Sequence, residues 1–112
     1  LNNLAMVLVG LKDPSAMEVA ERALKLQPET PNIIGTTGWA AFHANNPERA
    51  LQLLRDARLR DPGNVDTRYF LGSVLAQQGR RAEAQDELTA ALRAGPGLSY
   101  VKEAQELLRT LK

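Results

Sequence analysis

Residues 31–62 read PNIIGTTGWAAFHANNPERALQLLRDARLRDP, and residues 65–96 read VDTRYFLGSVLAQQGRRAEAQDELTAALRAGP. Placed 34 residues apart, the two stretches align a glycine with a glycine and a leucine with a leucine. The stretch upstream of residue 29 keeps the same period in part. The residues aligned at this period are Gly38 and Gly72; Leu54 and Leu88; Ala16, Ala50 and Ala84; Ala23, Ala57 and Ala91; Pro28, Pro62 and Pro96. A period of 34 residues is the length of a helix–turn–helix unit whose copies stack. The pattern predicts an all-α array that binds rather than catalyses.

Apolar spacing and turn residues divide the chain into seven predicted helices. They span residues 1–11, 15–27, 31–45, 47–60, 65–78, 81–94 and 98–111. The pairs Asp13-Pro14, Thr30-Pro31 and Asn46-Pro47 have the form of an N-cap followed by proline in the first turn. Gly79 is expected to end the fifth helix in a left-handed conformation, and Gly95-Pro96-Gly97 to break the chain before the last helix.

The repeated residues resemble the tetratricopeptide repeat (TPR) pattern W-x2-L-G-x2-Y, A-x3-F and P. Smaller apolar groups or Arg68 replace the large aromatics. In the third unit the matching residues are Arg68, Leu71, Gly72, Leu75, Ala84, Leu88 and Pro96. The resemblance implies a right-handed α-solenoid of three helix pairs plus a C-terminal capping helix. A single domain is then expected over residues 1–112, with repeats at 1–28, 29–62 and 63–96 and the cap at 97–112.

Small residues explain this pattern physically. Gly38, Gly72 and the repeated alanines are predicted to lie where the two helices of a unit cross closely, because larger side chains would push the backbones apart. The first unit has one residue fewer between its helices, so its Lys12-Asp13-Pro14 turn is expected to be tighter. The last helix is predicted to be a cap, since one face is apolar through Val101, Ala104, Leu107, Leu108 and Leu111.

Composition narrows the function. The 112 residues carry 14 basic and 13 acidic side chains and a net charge of +1, so neither nucleic acid nor an anionic membrane surface is an expected partner. Without cysteine and with one histidine, no metal site or other cofactor is expected. The chain begins with Leu1 inside a helical pattern and is interpreted as a fragment. Exposed Leu1 and Leu4 at an uncapped end could then support a homo-oligomer.

The TPR resemblance implies a concave groove lined by the first helix of each unit. The peptide-binding candidates are Met6, Val9, Asn32, Trp39, Phe42, His43, Asp66, Tyr69, Ser73 and Gln77. Aromatic residues often dominate binding surfaces. Phe42 and Phe70 have packing between repeats as the alternative, and for Trp39 and Tyr69 groove and core are both open.

Two more specific functions find little support in these positions. Co-chaperones of this family hold a chaperone's C-terminal carboxylate with Lys, Asn and Arg side chains, and here only Asn2 has suitable chemistry. An acid–base pair of His43 with Asp66 or Ser73 is conceivable. A lone histidine on a helix is more often a surface or groove residue, so no catalytic residue is expected.

Several segments, among them Thr37-Gly38-Trp39-Ala40 and Glu103-Ala104-Gln105-Glu106-Leu107-Leu108, look like the C-terminal end of TPR-repeat lipoproteins of the bacterial PEP-CTERM/exosortase system. That resemblance implies a protein-sorting and exopolysaccharide context in the periplasm or envelope, with the cytoplasm as the alternative location. The leading hypothesis is a non-catalytic module that binds a protein or peptide. A self-assembling structural array and a regulatory appendage of an enzyme encoded upstream are the alternatives.

Overall fold

The computed structural model describes residues 6, 8–93 and 99–111. Residues 6 and 8–10 are helical, and six further helices follow. These are α1 (Ala16–Leu26), α2 (Pro31–His43), α3 (Pro47–Arg60), α4 (Val65–Gln77), α5 (Arg81–Arg93) and α6 (Val101–Leu111). The described part of the chain contains no strand, and the all-α prediction is confirmed. The Gly95-Pro96-Gly97 break, Leu1, Leu4 and Asn2 lie outside the described residues.

The chain forms two compact units, residues 1–61 and residues 62–112. In the first unit α2 packs against both α1 and α3, and in the second α5 packs against both α4 and α6. The predicted division into repeats at 28, 62 and 96 stays a prediction.

Glycine lets α2 cross α3 closely, and α4 cross α5. A Cβ atom added to Gly38 would lie 2.8 Å from Leu54 Cγ and 3.3 Å from the Ala50 carbonyl oxygen. A Cβ atom added to Gly72 would lie 2.9 Å from Leu88 Cγ. Leu54 and Leu88 are fully buried. The close crossing predicted from the 34-residue period is therefore confirmed in both units.

The first helix of each predicted repeat ends in the same way. Lys12, Asn45 and Gly79 have φ values of 57°, 62° and 79°, which places all three in the left-handed region. In each case the next residue's N–H donates to a carbonyl five residues earlier, through the bonds Asp13 to Leu8, Asn46 to Ala41 and Arg80 to Leu75. This is the Schellman pattern of helix termination. The left-handed conformation predicted for Gly79 is confirmed.

The first turn was expected to be tighter than the others, and that expectation is wrong. Five residues, 11–15, separate the helices there, whereas three residues separate them at 44–46 and at 78–80. The Asp13 carboxylate accepts hydrogen bonds from the Ser15 N–H at 2.9 Å and the Ser15 hydroxyl at 2.7 Å. These bonds form an additional turn before α1, because Asp side chains readily compete for nearby backbone donors. Asp13 is therefore not the N-cap residue that its pairing with Pro14 predicted.

Asparagine side chains cap the N-termini of α3 and α4. Asn46 accepts from the Arg49 N–H at 3.3 Å and so caps α3 as predicted, and Asn64 accepts from the Thr67 N–H at 3.2 Å. Thr30 precedes α2 but makes no side-chain cap bond to it. Its hydroxyl donates to the Gln27 side chain instead.

The terminal helix packs as a cap on the second unit. Ala104 and Leu111 are buried and Leu107 is half-buried, whereas Lys102 and Glu103 are exposed. The Gln85 side chain also donates to the Leu111 carbonyl at 2.9 Å. The apolar face predicted for this helix is therefore the face that packs.

Candidate functional site

An aromatic cluster occupies the C-terminal turn of α2 and consists of Trp39, Phe42 and His43. Residues three and four apart share one side of a helix, so this spacing brings the rings together. The Trp39 and Phe42 ring centroids are 5.4 Å apart and stacked, and those of Trp39 and His43 are 4.5 Å apart, edge to face. Trp39 is 7% exposed, Phe42 is half-buried and His43 is exposed. The cluster thus has a buried base and an accessible edge.

A cavity of about 430 Å³ adjoins the cluster, and we name it the turn cavity. Val9 and His43, both predicted groove residues, line it together. The complete lining is Val9, Lys12, Asp13, Pro14, Ala16, Met17, Ala40, His43, Ala44 and Asn45. Partial desolvation, and secondarily the positive charge of Lys12, lower the pKa of His43. Both effects favour the neutral imidazole of His43 over its cation.

In the second unit, two predicted groove residues of α4, Tyr69 and Asp66, contact residues of the same chain. Tyr69 is 9% exposed, and its ring stacks on Tyr100 with a centroid separation of 4.8 Å and an angle of 11°. The Asp66 carboxylate accepts from the Ser99 N–H at 3.0 Å and from its hydroxyl at 3.3 Å. Burial raises the pKa of both tyrosines, and the nearby Glu103 carboxylate acts in the same direction. Tyr69 and Asp66 therefore hold the segment that leads into α6.

Asn32 and Ser73 take part in hydrogen bonds within their own helices. The Thr36 hydroxyl donates to the Asn32 carbonyl at 2.9 Å, and the Ser73 hydroxyl donates to the Tyr69 carbonyl at 2.9 Å. Of the ten candidates, Asn32, His43 and Gln77 are exposed, Met6, Phe42 and Asp66 are half-buried, and Val9, Trp39, Tyr69 and Ser73 are buried. A binding role for these ten residues stays a prediction.

Two residues that the sequence analysis did not select belong to these sites. Tyr100 covers Tyr69, and it lies 34 residues after Asp66, so the repeat period itself contained that signal. Lys12 lines the turn cavity and influences His43. Its position could not be read from the period, because the first turn departs from the length of the others.

Among the described residues, no three His, Cys, Asp or Glu side chains are grouped as metal ligands. No helix in the described ranges is long and apolar enough to cross a bilayer.

Two individual proteins are similar to this chain, one in sequence and one in structure. Over 82 residues the chain is 35% identical to Protein FlbA of Caulobacter vibrioides, covering 73% of this chain and 14% of that protein. The chain therefore spans only a small part of this curated relative. The crystal structure of the Yersinia enterocolitica type III secretion chaperone SycD, in complex with a peptide of the translocator YopD, matches with a TM-score of 0.77. That match covers 98% of this chain and 88% of SycD at 16% identity, and it shows the helical-repeat fold.

The family model described as tetratricopeptide repeat matches residues 41–111. This range contains α3 to α6 and the crossing of Gly72 with Leu88. It covers more than half of the chain and agrees with the fold likeness. The chain belongs to the tetratricopeptide repeat family.

Proposed function

We propose that this chain is a non-catalytic protein-interaction module that binds a peptide or an extended protein segment at the aromatic cluster of α2. The observation that carries the proposal is the accessible edge of this cluster, where half-buried Phe42 and exposed His43 stand on the buried Trp39 ring. Aromatic groups of this kind bury large areas on binding while losing little conformational entropy. Membership of the TPR family supports the proposal, as does the peptide held by the SycD structure, which has the same fold.

Site-specific photocrosslinking tests this function. A photoreactive side chain is placed at His43 or at Asn32, both exposed on α2, and in a matched control at exposed Gln52 on α3. These positions leave the buried Trp39 and Tyr69 intact. Bacterial lysate is then irradiated with each variant and the crosslinked proteins are identified. A partner crosslinked at positions 32 and 43 but not at 52 supports the proposal. Equal crosslinking at all three positions, or none, contradicts it.

For the biological setting, we propose the bacterial envelope, in the protein-sorting and exopolysaccharide context of the lipoproteins that the chain resembles. The Caulobacter relative supports the bacterial part of this proposal. Cell fractionation of the tagged full-length protein tests the location. Recovery in the envelope fraction is expected, and recovery in the cytosol alone would contradict it.

Self-assembly is the alternative to a foreign partner. Leu11 is 72% exposed near the first turn and supplies apolar surface for such contact. Light scattering of the purified chain at two concentrations separates the alternatives. A molar mass that rises with concentration favours self-assembly, whereas a constant monomer mass favours a foreign partner.

A further inference from the structure

The turn cavity exists where the first helix pair departs from the other two. α1 begins four residues after the left-handed Lys12, whereas α3 begins two residues after Asn45 and α5 two residues after Gly79. The additional residues form the turn held by Asp13, and this turn is one wall of the cavity. The cavity volume of about 430 Å³ lies in the range of small-ligand sites.

The floor of the turn cavity is apolar. Val9, Ala16 and Ala40 are buried there, and Met17 is half-buried. Methionine adapts its shape to different apolar partners, because it is unbranched and has several rotatable bonds. The floor therefore suits an aliphatic side chain better than a polar one.

The polar groups of the rim favour an anion near His43. Among the described residues, no carboxylate forms a salt bridge with Lys12. Asp13 Oδ1 accepts both hydrogen bonds from Ser15, which hold this carboxylate at the start of α1. The charge that acts on His43 is that of Lys12. An incoming carboxylate would thus meet one ammonium group and one imidazole, since Lys12 and His43 both line the cavity.

We propose that the turn cavity binds an acidic–aliphatic segment of a partner protein, which presupposes the protein-binding function proposed above. The aliphatic side chain lies on the floor formed by Val9, Ala16 and Ala40. The neighbouring carboxylate lies between Lys12 and His43. Charge-assisted hydrogen bonds to the carboxylate provide specificity, and burial of the aliphatic group provides affinity.

The only tryptophan of the chain reports on this site. The Trp39 ring lies 4.5 Å from the ring of His43, so a ligand that contacts His43 changes the environment of Trp39. The purified chain is titrated with the blocked peptide acetyl-Leu-Glu-Leu-Glu-amide, and with acetyl-Leu-Gln-Leu-Gln-amide as the uncharged control. A saturable fluorescence change is expected with the acidic peptide, and binding about tenfold weaker with the control.

Two variants locate the ligand in the cavity. Lys12→Gln is expected to weaken the acidic peptide about tenfold, whereas Lys102→Gln, on an exposed site of α6, leaves the affinity unchanged. Ala44→Phe places a large ring at an exposed position of the cavity rim and is expected to abolish binding. Each variant is checked by its thermal melt. If Lys12→Gln melts early, Lys12→Gly replaces it, because glycine removes the charge and favours the left-handed backbone.

Equal affinity for the two peptides, an unchanged affinity in both Lys12 variants, or full binding by Ala44→Phe would overturn the proposal. So would the absence of any fluorescence change. These failures are distinct from failure of the protein-binding function. A partner that still crosslinks at position 32, which does not line the turn cavity, would show that the module binds proteins at α2 without an acidic–aliphatic segment in that cavity.

Discussion

The second and third helix pairs, α2–α3 and α4–α5, cross in the same way but carry different residues at two matched positions. In the second, Ile34 and Leu53 are buried in one apolar cluster with Ala57. Thirty-four residues later, Arg68 and Glu87 occupy these places, and Arg68 Nη1 lies 3.0 Å from Glu87 Oε1. Glu87 is 6% exposed. The fold thus requires a small residue, glycine, where the helices cross. The two matched positions beside the crossing accept either an apolar contact or an ion pair.

The two pairs also differ at the face expected to bind. The Tyr69 face of α4 is covered by Tyr100, which precedes α6, and Asp66 is hydrogen-bonded to Ser99. The aromatic cluster of α2 retains exposed His43 at its edge. Asp66 and Tyr69 thus contact residues of the same chain, whereas the edge of the α2 cluster stays accessible.

The largest expected effect is at the crossing that both pairs share. Gly72→Leu forces a side chain into space already occupied by Leu88 and is expected to destabilise the second unit by about 3 kcal/mol or more. Gly38→Leu should have the same effect in the first unit, against Leu54. Chemical denaturation followed by circular dichroism measures both losses.

Gly10→Ala is the control for these glycine variants. Gly10 is helical and exposed, and an added Cβ would meet nothing within 4 Å. A stabilisation of about 0.5–1 kcal/mol is expected, because alanine loses less backbone entropy than glycine in a helix. Equal stabilisation in Gly72→Ala would show that the crossing has room for a side chain and would contradict the close approach.

Substitutions at Arg68 and Glu87 can make the α4–α5 pair resemble the α2–α3 pair. Arg68→Ala is expected to reduce the free energy of unfolding by about 1.5–3 kcal/mol, because the buried Glu87 carboxylate loses its charge-assisted hydrogen bond from Arg68. The double variant Arg68→Ile, Glu87→Leu should recover most of that loss, since apolar residues often replace a buried ion pair without penalty. Denaturation curves of the two variants and the wild type give the comparison. A double variant less stable than Arg68→Ala would show that the ion pair is required by the fold.

Tyr100→Ala removes the ring that stacks on Tyr69 and so exposes Tyr69 to solvent. The chain has two tyrosines, so Tyr69 is the only one in Tyr100→Ala. Its raised pKa should fall toward the ordinary value near 10, because burial is the main cause of the shift. Spectrophotometric titration of the phenol measures it. Tyr100→Phe keeps the stacked ring and should leave the pKa raised, and an equal pKa in the two variants would refute the covering role of Tyr100.

The residues that repeat could be predicted from the sequence, and the residues that break the repeat could not. Gly38 and Gly72 reveal the crossing because any side chain would collide there, so the requirement is visible in one aligned position. The Arg68–Glu87 pair depends on two residues 19 apart on different helices, and neither residue alone predicts the contact. The length of the first turn was wrongly predicted, because the prediction used only the number of residues between aligned positions. Hydrogen bonds from Ser15 to the Asp13 side chain determine where α1 begins.

The smallest expected effects compare the three left-handed residues that end the first helices. An added Cβ at Gly79 would meet nothing within 4 Å, so Gly79→Ala isolates the backbone strain of φ at 79°, and a loss of about 1 kcal/mol is expected. Asn45→Gly should gain only a few tenths of a kcal/mol, because asparagine already tolerates this region, whereas Lys12→Gly should gain about 0.5–1 kcal/mol. Thermal melts of the three variants should therefore rank Lys12→Gly above Asn45→Gly and both above Gly79→Ala. If Lys12→Gly is instead the least stable, the lysine side chain contributes contacts that outweigh its strained backbone.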